Sequence, residues 1–260
     1  PAERSASVHG HEAAFLRAAI VPHIIGFGTV QGRLGGCIGV LLFNDVSGPA
    51  GNSRHGKEGR EKVDRDPHGI VQRSAVKVDV DVDVDTLLFM VNLGCVELNP
   101  WNAVLPDLDH PDLMVFDLDP LDIDFSAVID VAGVFRDLFE KLGIPSFCKT
   151  SGGRGLHIYV PIEPNYTHRQ IQNFARTLMV HVHKKTRKIT SLERSPSKRK
   201  GKIYLDYLQN GKGKTMASVY SLRPRPGAPV STPIKVEELN KDLDPFDFNI
   251  HSIPGRIEME

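Results

Sequence analysis

The sequence predicts a fold of the α+β kind (α/β mixed), in which mixed β-sheets are flanked by helices, over residues 85–260. Three observations predict it. Short apolar runs rich in β-branched and aromatic residues recur in "DLMVFDLDP", "GLHIYVPI" and "GKIYLDYLQN". Two longer stretches carry apolar residues at helical spacing, and strands and helices alternate without the strict βαβ repeat of a doubly wound sheet. With 260 residues, 40% hydrophobic and 25% charged, the chain can bury one large core or two small ones.

Residues 1–84 are a divergent N-terminal segment that resists assignment. Its apolar patches keep no amphipathic period, and its glycines fall without turn logic. Residues 44–75 are polar and glycine-rich and read as loop or disorder. The strict alternation from Val76 to Asp85 reads as a strand, after which "TLLFMVNLG" turns to helical spacing and stops at a glycine.

The later elements follow in order. "CVELNPW" is a short strand and turn, and "DLMVFDLDP" a buried strand. "FSAVIDVAGVFRDLFEKLG" is a helix with Val128, Val131, Val134, Phe135, Leu138 and Leu142 on one face and Gly143 as its C-cap. "PSFCKTS" and "GLHIYVPI" are strands on either side of the turn "SGGRG". "THRQIQNFARTLMVHVHKK" is a second amphipathic helix, and "GKIYLDYLQN" and "ASVYSLRPR" are further strands.

Composition excludes several classes. Acidic and basic residues balance at 32 each, so a polyanionic partner must show itself in the local placement of charge. Cys37, Cys95 and Cys148 form no CxxC pair, which argues against a zinc site or a disulfide framework and fits a reducing cytoplasm. No apolar run reaches the roughly 18 residues of a membrane span, and the first residues lack a signal-peptide layout. The expectation is a cytoplasmic chain with no membrane partner.

The residues that suggest chemistry begin with Asp117 and Asp119 in "MVFDLDP". Positions i and i+2 of a strand share a face, so the carboxylates stand side by side. The aspartates of "VDVDVDVD", residues 78–85, have the same spacing and read as a solvated edge, so alternation alone decides nothing. The apolar neighbours Met114, Val115, Phe116 and Leu118 make the difference, because like charges in a partly buried place repel unless a cation neutralises them. Hard carboxylate oxygens suit magnesium or manganese, while capping or turn aspartates remain the structural reading. Asp206 interrupts another apolar strand. It follows the most basic run of the chain, nine Lys or Arg between His183 and Lys202, which reads as a phosphate-facing surface or as a solvated helix face. In "SGGRGLHIYV", glycines would let backbone N–H groups approach an anion, with Ser151, Arg154 and His157 as further donors; a plain hairpin turn is the alternative. His181 and His183 read as surface residues.

Together, "VFDLDP", "KTSGGRGLHIYVPI", "RKGKIYLDYLQN" and "YSLRPRPGAPVSTPI" resemble, in order and spacing, the polymerase domain of bacterial DNA ligase D, a member of the archaeo-eukaryotic primase superfamily. The resemblance runs from about Thr86 through "LNPWNA" to "DPFDFNIHSIPGRI" and implies a primase-like catalytic core. It implies that Asp117, Asp119 and Asp206 are the catalytic, metal-binding triad. Ser151 and His157 would hold the nucleotide triphosphate, Arg154 stands where many relatives have lysine, and Arg199, Gln209 and Arg223 would shape the phosphate and metal sites. Asn99, a histidine in some members, and Trp101 would lie close to the nucleotide. The implied activity is nucleotide addition, preferably of ribonucleotides, to primer 3′ ends at DNA breaks in non-homologous end joining, with two divalent ions, Mn2+ or Mg2+. The implied partners are NTP or dNTP, gapped or 5′-phosphorylated DNA ends, the Ku protein and a ligase domain, in a bacterial, nucleoid-associated setting. The family's N-terminal "RPLSLxRxPxG" and "FYQK"-like segments have no counterpart in residues 1–84. Two other readings are a catalytically degenerate domain that binds DNA ends, and a phosphatase of the haloacid-dehalogenase type, whose hhhhDxD strand "VFDLDP" also resembles although Pro120 and Leu121 stand where those enzymes have Gly-Thr.

Overall fold

The computed structural model describes residues 38–41, 75–78, 84–92, 94–104 and 107–259. Its first strands, β1 (Ile38–Leu41), β2 (Ala75–Val78) and β3 (Glu97–Pro100), form an antiparallel sheet in the order β2-β1-β3, with helix α1 (Val84–Asn92) between β2 and β3. The second sheet holds β4 (Leu113–Leu121), β5 (Phe147–Thr150), β6 (Leu156–Pro161), β7 (Thr190–Ser191), β8 (Lys202–Asp206) and β9 (Pro233–Ile234). Its order is β7-β8-β4-β6-β5-β9, with β7 and β8 parallel and every other pair antiparallel. Both the mixed sheet and the flanking helices agree with the expected α+β class.

Helix α2 (Phe125–Leu142) starts where Asp124 accepts a hydrogen bond from the Ser126 N–H. It stops at Gly143, whose φ of 67° is the left-handed C-cap conformation that the sequence suggested. Val128, Val131, Ala132, Phe135 and Phe139 are its buried face, so the stripe sits slightly round from the expected one. Val134, Leu138 and Leu142 pack at its margin. Helix α3 (His168–Thr186) opens with a capping box of Thr167 and Gln170 and buries Ile171, Ala175, Leu178, Met179 and Val182. Both helices cover the face of the sheet that carries Met114, Phe116, Leu118, Leu156, Ile158, Val160, Ile203 and Leu205. Phe116 meets Phe135 and Phe139 with ring centroids 5.1 and 5.3 Å apart, an aromatic cluster at the centre of this core. Helix α4 (Ile253–Met259) closes the described chain, and Arg256 pairs with Glu238 at 2.7 Å.

Two sequence expectations change. Of the alternation from Val76 to Asp85, Val76–Val78 belong to β2, residues 79–83 lie outside the described residues, and Val84 and Asp85 belong to α1 instead of a strand. "ASVYSLRPR" forms no strand beyond a single bridge, Leu222 to Val230. Tyr220 there has a φ of 60°, and Pro224 and Pro226 lack the N–H a ladder needs.

Where β8 ends at Asp206, a side chain takes over its ladder. Asn210 accepts from the Val115 N–H at 2.8 Å and donates to the Val115 carbonyl at 2.7 Å, so that β4 keeps a partner beyond its last pairing with β8. Both bonds are buried, and losing them strands two backbone groups. Asn210→Ala is expected to lower stability by about 3 kcal/mol, since each buried unsatisfied group costs about 1–3 kcal/mol; urea unfolding of the variant against wild type measures it, and a change of less than about 0.5 kcal/mol, the size of a neutral surface substitution, would refute the role.

Candidate active site

The face of the sheet opposite the core carries a row of ionisable side chains fixed by strand register. Asp117 of β4 stands opposite Asp206 of β8 on one side and His157 of β6 on the other, and His157 stands opposite Lys149 of β5. Directly opposed residues of antiparallel strands point the same way, so Lys149, His157, Asp117 and Asp206 form one line across four strands. Asp119 lies two positions along β4 on the same face, opposite Tyr204. The three aspartates predicted from sequence are therefore neighbours.

Electrostatics follows from that packing. The Asp117 side chain is only 16% exposed; burial, then the charges of Asp206 and Asp119, push its pKa up to about 8. Asp206 is raised as well, mainly by burial, although the Leu208 N–H donates to it at 2.9 Å and the Gln209 amide at 3.4 Å. His157 falls well below the usual imidazole range through burial and then the Lys149 and Arg223 charges. That shift favours the neutral ring, whose Nε2 approaches the Asp117 carboxyl at 3.6 Å. Its Nδ1 is buried without a hydrogen-bond partner. Lys149 is 2% exposed and has no carboxylate at bonding distance; it donates to Ser231 Oγ, and burial draws its pKa down to about 7.

Asp119 behaves differently because Arg199 reaches it. The guanidinium lies 3.0 Å from the Asp119 carboxylate, donates to its backbone carbonyl at 3.2 Å and stacks over Tyr204 at 4.6 Å from the ring centroid. Arg199 holds the place beside Asp119 that another cation would take. Among the described residues no three His, Cys, Asp or Glu side chains converge closely enough to hold a metal ion as they stand. The donor set nevertheless suits a hard divalent ion: carboxylates from adjacent strands, one of them driven to protonation for want of counter-charge.

Beside the aspartates opens a cleft of about 160 Å³, lined by Asp117, Asp119, Ser151, Arg154, His157, Arg223 and Arg225 together with Gly153 and Gly155. The "SGGRG" turn forms one wall. Ser151 N–H donates to the Gly155 carbonyl and Gly155 N–H to Ser151 Oγ, both at 3.0 Å. Gly155 has to be glycine, for a Cβ there would meet the Leu118 carbonyl at 2.5 Å. Arg223 Nη1 donates to the Ser151 carbonyl at 3.2 Å. Three arginines thus face two carboxylates across a small space, an arrangement suited to a polyanion with a charge-neutralising ion at one end.

Of the other sequence-predicted residues, Gln209 meets Asp206, and its carbonyl accepts from Asn102 at 3.1 Å. Asn99 and Trp101 are not among the cleft-lining side chains. Asn99 is buried on β3, its Nδ2 without a hydrogen-bond partner, and Trp101 follows that strand and bridges to Thr215. His181 is exposed as expected, whereas His183 is half-buried and bonded to Thr190 at 2.8 Å. Lys149, Arg225 and Glu97 escaped the sequence reading. A signal existed for two of them, since Lys149 shares alternation parity with Ser151 in "FCKTS" and Glu97 with Asn99 in "ELNP".

A mixed sheet with acidic residues in one register row, flanked by a glycine turn and arginines, is an arrangement that could take a polyanion together with a divalent ion. Residues 48–260 match the family model of the LigD primase-polymerase domain, and the chain belongs to that family. It is 34% identical over 175 residues to the multifunctional non-homologous end joining protein LigD of Pseudomonas aeruginosa, covering 67% of this chain and 21% of that protein. The bifunctional LigD of Bacillus subtilis is 30% identical over 180 residues, 68% of this chain and 29% of that protein, so the chain spans less than a third of either relative. Among solved structures, the polymerase domain from Mycobacterium tuberculosis ligase D in complex with DNA superposes with a TM-score of 0.67 at 24% identity, covering 87% of this chain and 82% of that one, a likeness of fold. The dehalogenase alternative falls with these findings. No helix among the described residues is long and apolar enough to cross a membrane.

Lys149 gives a pH prediction. Its folded pKa, about 7, lies below the free lysine value of 10.5, so the folded state binds fewer protons than the unfolded state between those values. The burial penalty is full below pH 7 and fades as pH rises to 10.5. Lys149→Met is therefore expected to be more stable than wild type at pH 6, with the advantage shrinking toward pH 10. Urea midpoints at both values check it; a gap that stays constant or widens with pH would contradict the assignment.

Proposed function

We propose that this chain is a DNA-repair nucleotidyltransferase that adds nucleotides, preferably ribonucleotides, to primer 3′ ends at DNA breaks during non-homologous end joining. The observation that carries the reading is the placement of Asp117, Asp119 and Asp206 on one face of the sheet, against a cleft walled by Ser151, Arg154, His157, Arg223 and Arg225. Family membership supports it, as does the likeness of fold to a ligase D polymerase domain in complex with DNA.

In this mechanism the arginines of the cleft bind the triphosphate, Arg154 and Arg225 through their forked donors and Arg223 through its charge, since its fork is held by Glu97 and the Ser151 carbonyl. Ser151 holds the turn closed through Gly155, so its backbone presents a fixed surface to the phosphates. His157, neutral and buried, offers the substrate a hydrogen-bonding ring without adding charge. Asp117 and Asp206, with Asp119 once it leaves Arg199, would hold two divalent ions, manganese or magnesium. Such ions supply a lowered pKa for the primer 3′-hydroxyl and neutralise charge on the pyrophosphate. The hydroxyl proton passes to solvent as its oxygen joins the α-phosphorus and the bond to pyrophosphate breaks, and Arg199, next to Asp119, supplies a cation beside the acidic row. DNA ends bearing a 5′-phosphate, NTP or dNTP, Ku and a ligase domain are the partners this reading assigns, in a bacterial cytoplasm.

The hold of Arg199 on Asp119 favours a second reading, a domain that binds DNA ends without extending them. One experiment separates the two: primer extension on a gapped, 5′-phosphorylated duplex with ribonucleotides and manganese, run beside a gel shift. Wild type is expected to extend the primer, and Asp117→Ala to lose on the order of 10³-fold in rate while keeping DNA binding. Equal rates in both proteins, or binding with no extension by wild type, would refute the catalytic reading.

A further inference from the structure

We propose that Glu97 is a positioning residue for nucleotide binding: it orients Arg223, and through Arg223 the Ser151–Gly155 turn, so that the three-stranded sheet sets the cleft's grip on a triphosphate. The inference rests on the nucleotide reading given above and adds a residue that does not line the cleft.

Glu97 lies on β3, is 6% exposed, and has its carboxylate 3.3 Å from the Arg223 guanidinium. The other end of the same guanidinium donates to the Ser151 carbonyl. One planar group therefore joins β3 to the glycine turn, a link that needs both prongs of the fork. The stem of Arg223 also fixes the turn sterically. It crosses Gly152, whose φ is +69° and where a Cβ would come within 2.5 Å of Arg223 Cγ, so the stem lies directly against the turn at a place that only glycine leaves open.

The ion pair is held in register from behind. Leu98 N–H donates to Ser221 Oγ at 2.9 Å, Ser218 N–H to the Leu98 carbonyl at 2.8 Å, and Met216 N–H to the Pro100 carbonyl at 3.2 Å. These bonds fix β3 to the segment that leads into Arg223. A buried carboxylate is costly to keep unless paired, and because Glu97 pairs with Arg223 without lining the cleft, its use is to aim the arginine.

Charge and position make opposite predictions, which gives the test its edge. Removing the Glu97 charge makes the cleft more positive, so a purely Coulombic role predicts tighter binding of a polyanion. A positioning role predicts weaker binding. The experiment measures affinity of the full chain for a non-hydrolysable ribonucleoside triphosphate, with hydrogen exchange read at the Gly152–Gly155 amides. Glu97→Gln is expected to bind about tenfold more weakly, the order of one charged hydrogen bond, and to exchange faster at those amides. Arg223→Lys, which keeps charge and stem but loses the fork, should show the same pair of changes, and the double variant should be no weaker than either single one. Unchanged or tighter binding by Glu97→Gln, additive losses in the double variant, or wild-type affinity in Arg223→Lys would each overturn the proposal, the last even where Glu97→Gln does not fold. Failure of the wild type to bind the triphosphate would bring down the nucleotide reading and this inference with it, whereas firm wild-type binding left intact by Glu97→Gln defeats the inference alone.

Discussion

The register of β4 against β6 and β8 is the constraint on which the rest depends. Asp117 opposite His157 and Asp206 fixes one polar row, and the same pairing places Leu118 opposite Leu156 and Leu205 on the core face. Because side chains alternate with a period of 2, a slip by one residue would send Phe116 and Leu118 to the cleft and Asp117 into the aromatic cluster. The hydrophobic core thus positions the site without touching it. Gly155 and Asn210 serve the same register: the first lets the turn close against the Leu118 carbonyl, and the second holds β4 past the end of β8.

That register imposes an electrostatic cost that the protein only partly offsets. Asp117 and Asp206 stand close in a place where burial outweighs solvation, and both are raised above the ordinary carboxylate range. Burial likewise pushes Lys149 and His157 toward their neutral forms. A row of four ionisable groups that all tend toward neutrality is poor design for stability alone. It is reasonable for a site that receives charge from outside, where local rules are broken for function and the surrounding core absorbs the loss. Arg199 offsets part of that cost at Asp119, which it pairs at 3.0 Å.

Much of this was legible in the sequence because it depends on local spacing. The i, i+2 aspartates and the Gly143 stop of α2 follow from chemistry within a few residues, as does the capping box at Thr167, which the sequence reading did not single out. The alternation of "MVFDLDP" against its apolar neighbours marked the strand that carries Asp117 and Asp119, and "SGGRG" marked the turn that walls the cleft. What was not legible depends on long-range register. Nothing local says that Lys149 stands opposite His157, or that Glu97 reaches a residue 126 positions later, the difference between 223 and 97. "ASVYSLRPR" failed as a strand for a related reason. Its alternation is strand-like, yet the chain must turn at Tyr220 to return Ser221 to β3 and Arg223 to the glycine turn, and tertiary demand overrode pattern.

The basic run from His183 to Lys202 shows how one stretch of sequence can serve two environments. Lys184, Lys185, Arg187, Lys188, Arg194, Lys198 and Lys200 are exposed, whereas Arg199, between two of them, is 8% exposed and bound to Asp119. The buried member is selected by geometry. A turn of 3-10 helix at Pro196–Lys198 and the positive φ of Gly201 swing the chain so that Arg199 points inward just before β8 begins. Its neighbours stay exposed to solvent, and the charge of Arg194 still reaches Asp206 and lowers its pKa against the effect of burial. A cation near carboxylates lessens their repulsion of a polyanion. The run thus divides into one inward arginine that engages the acidic row and exposed cations, of which Arg194 still acts on that row.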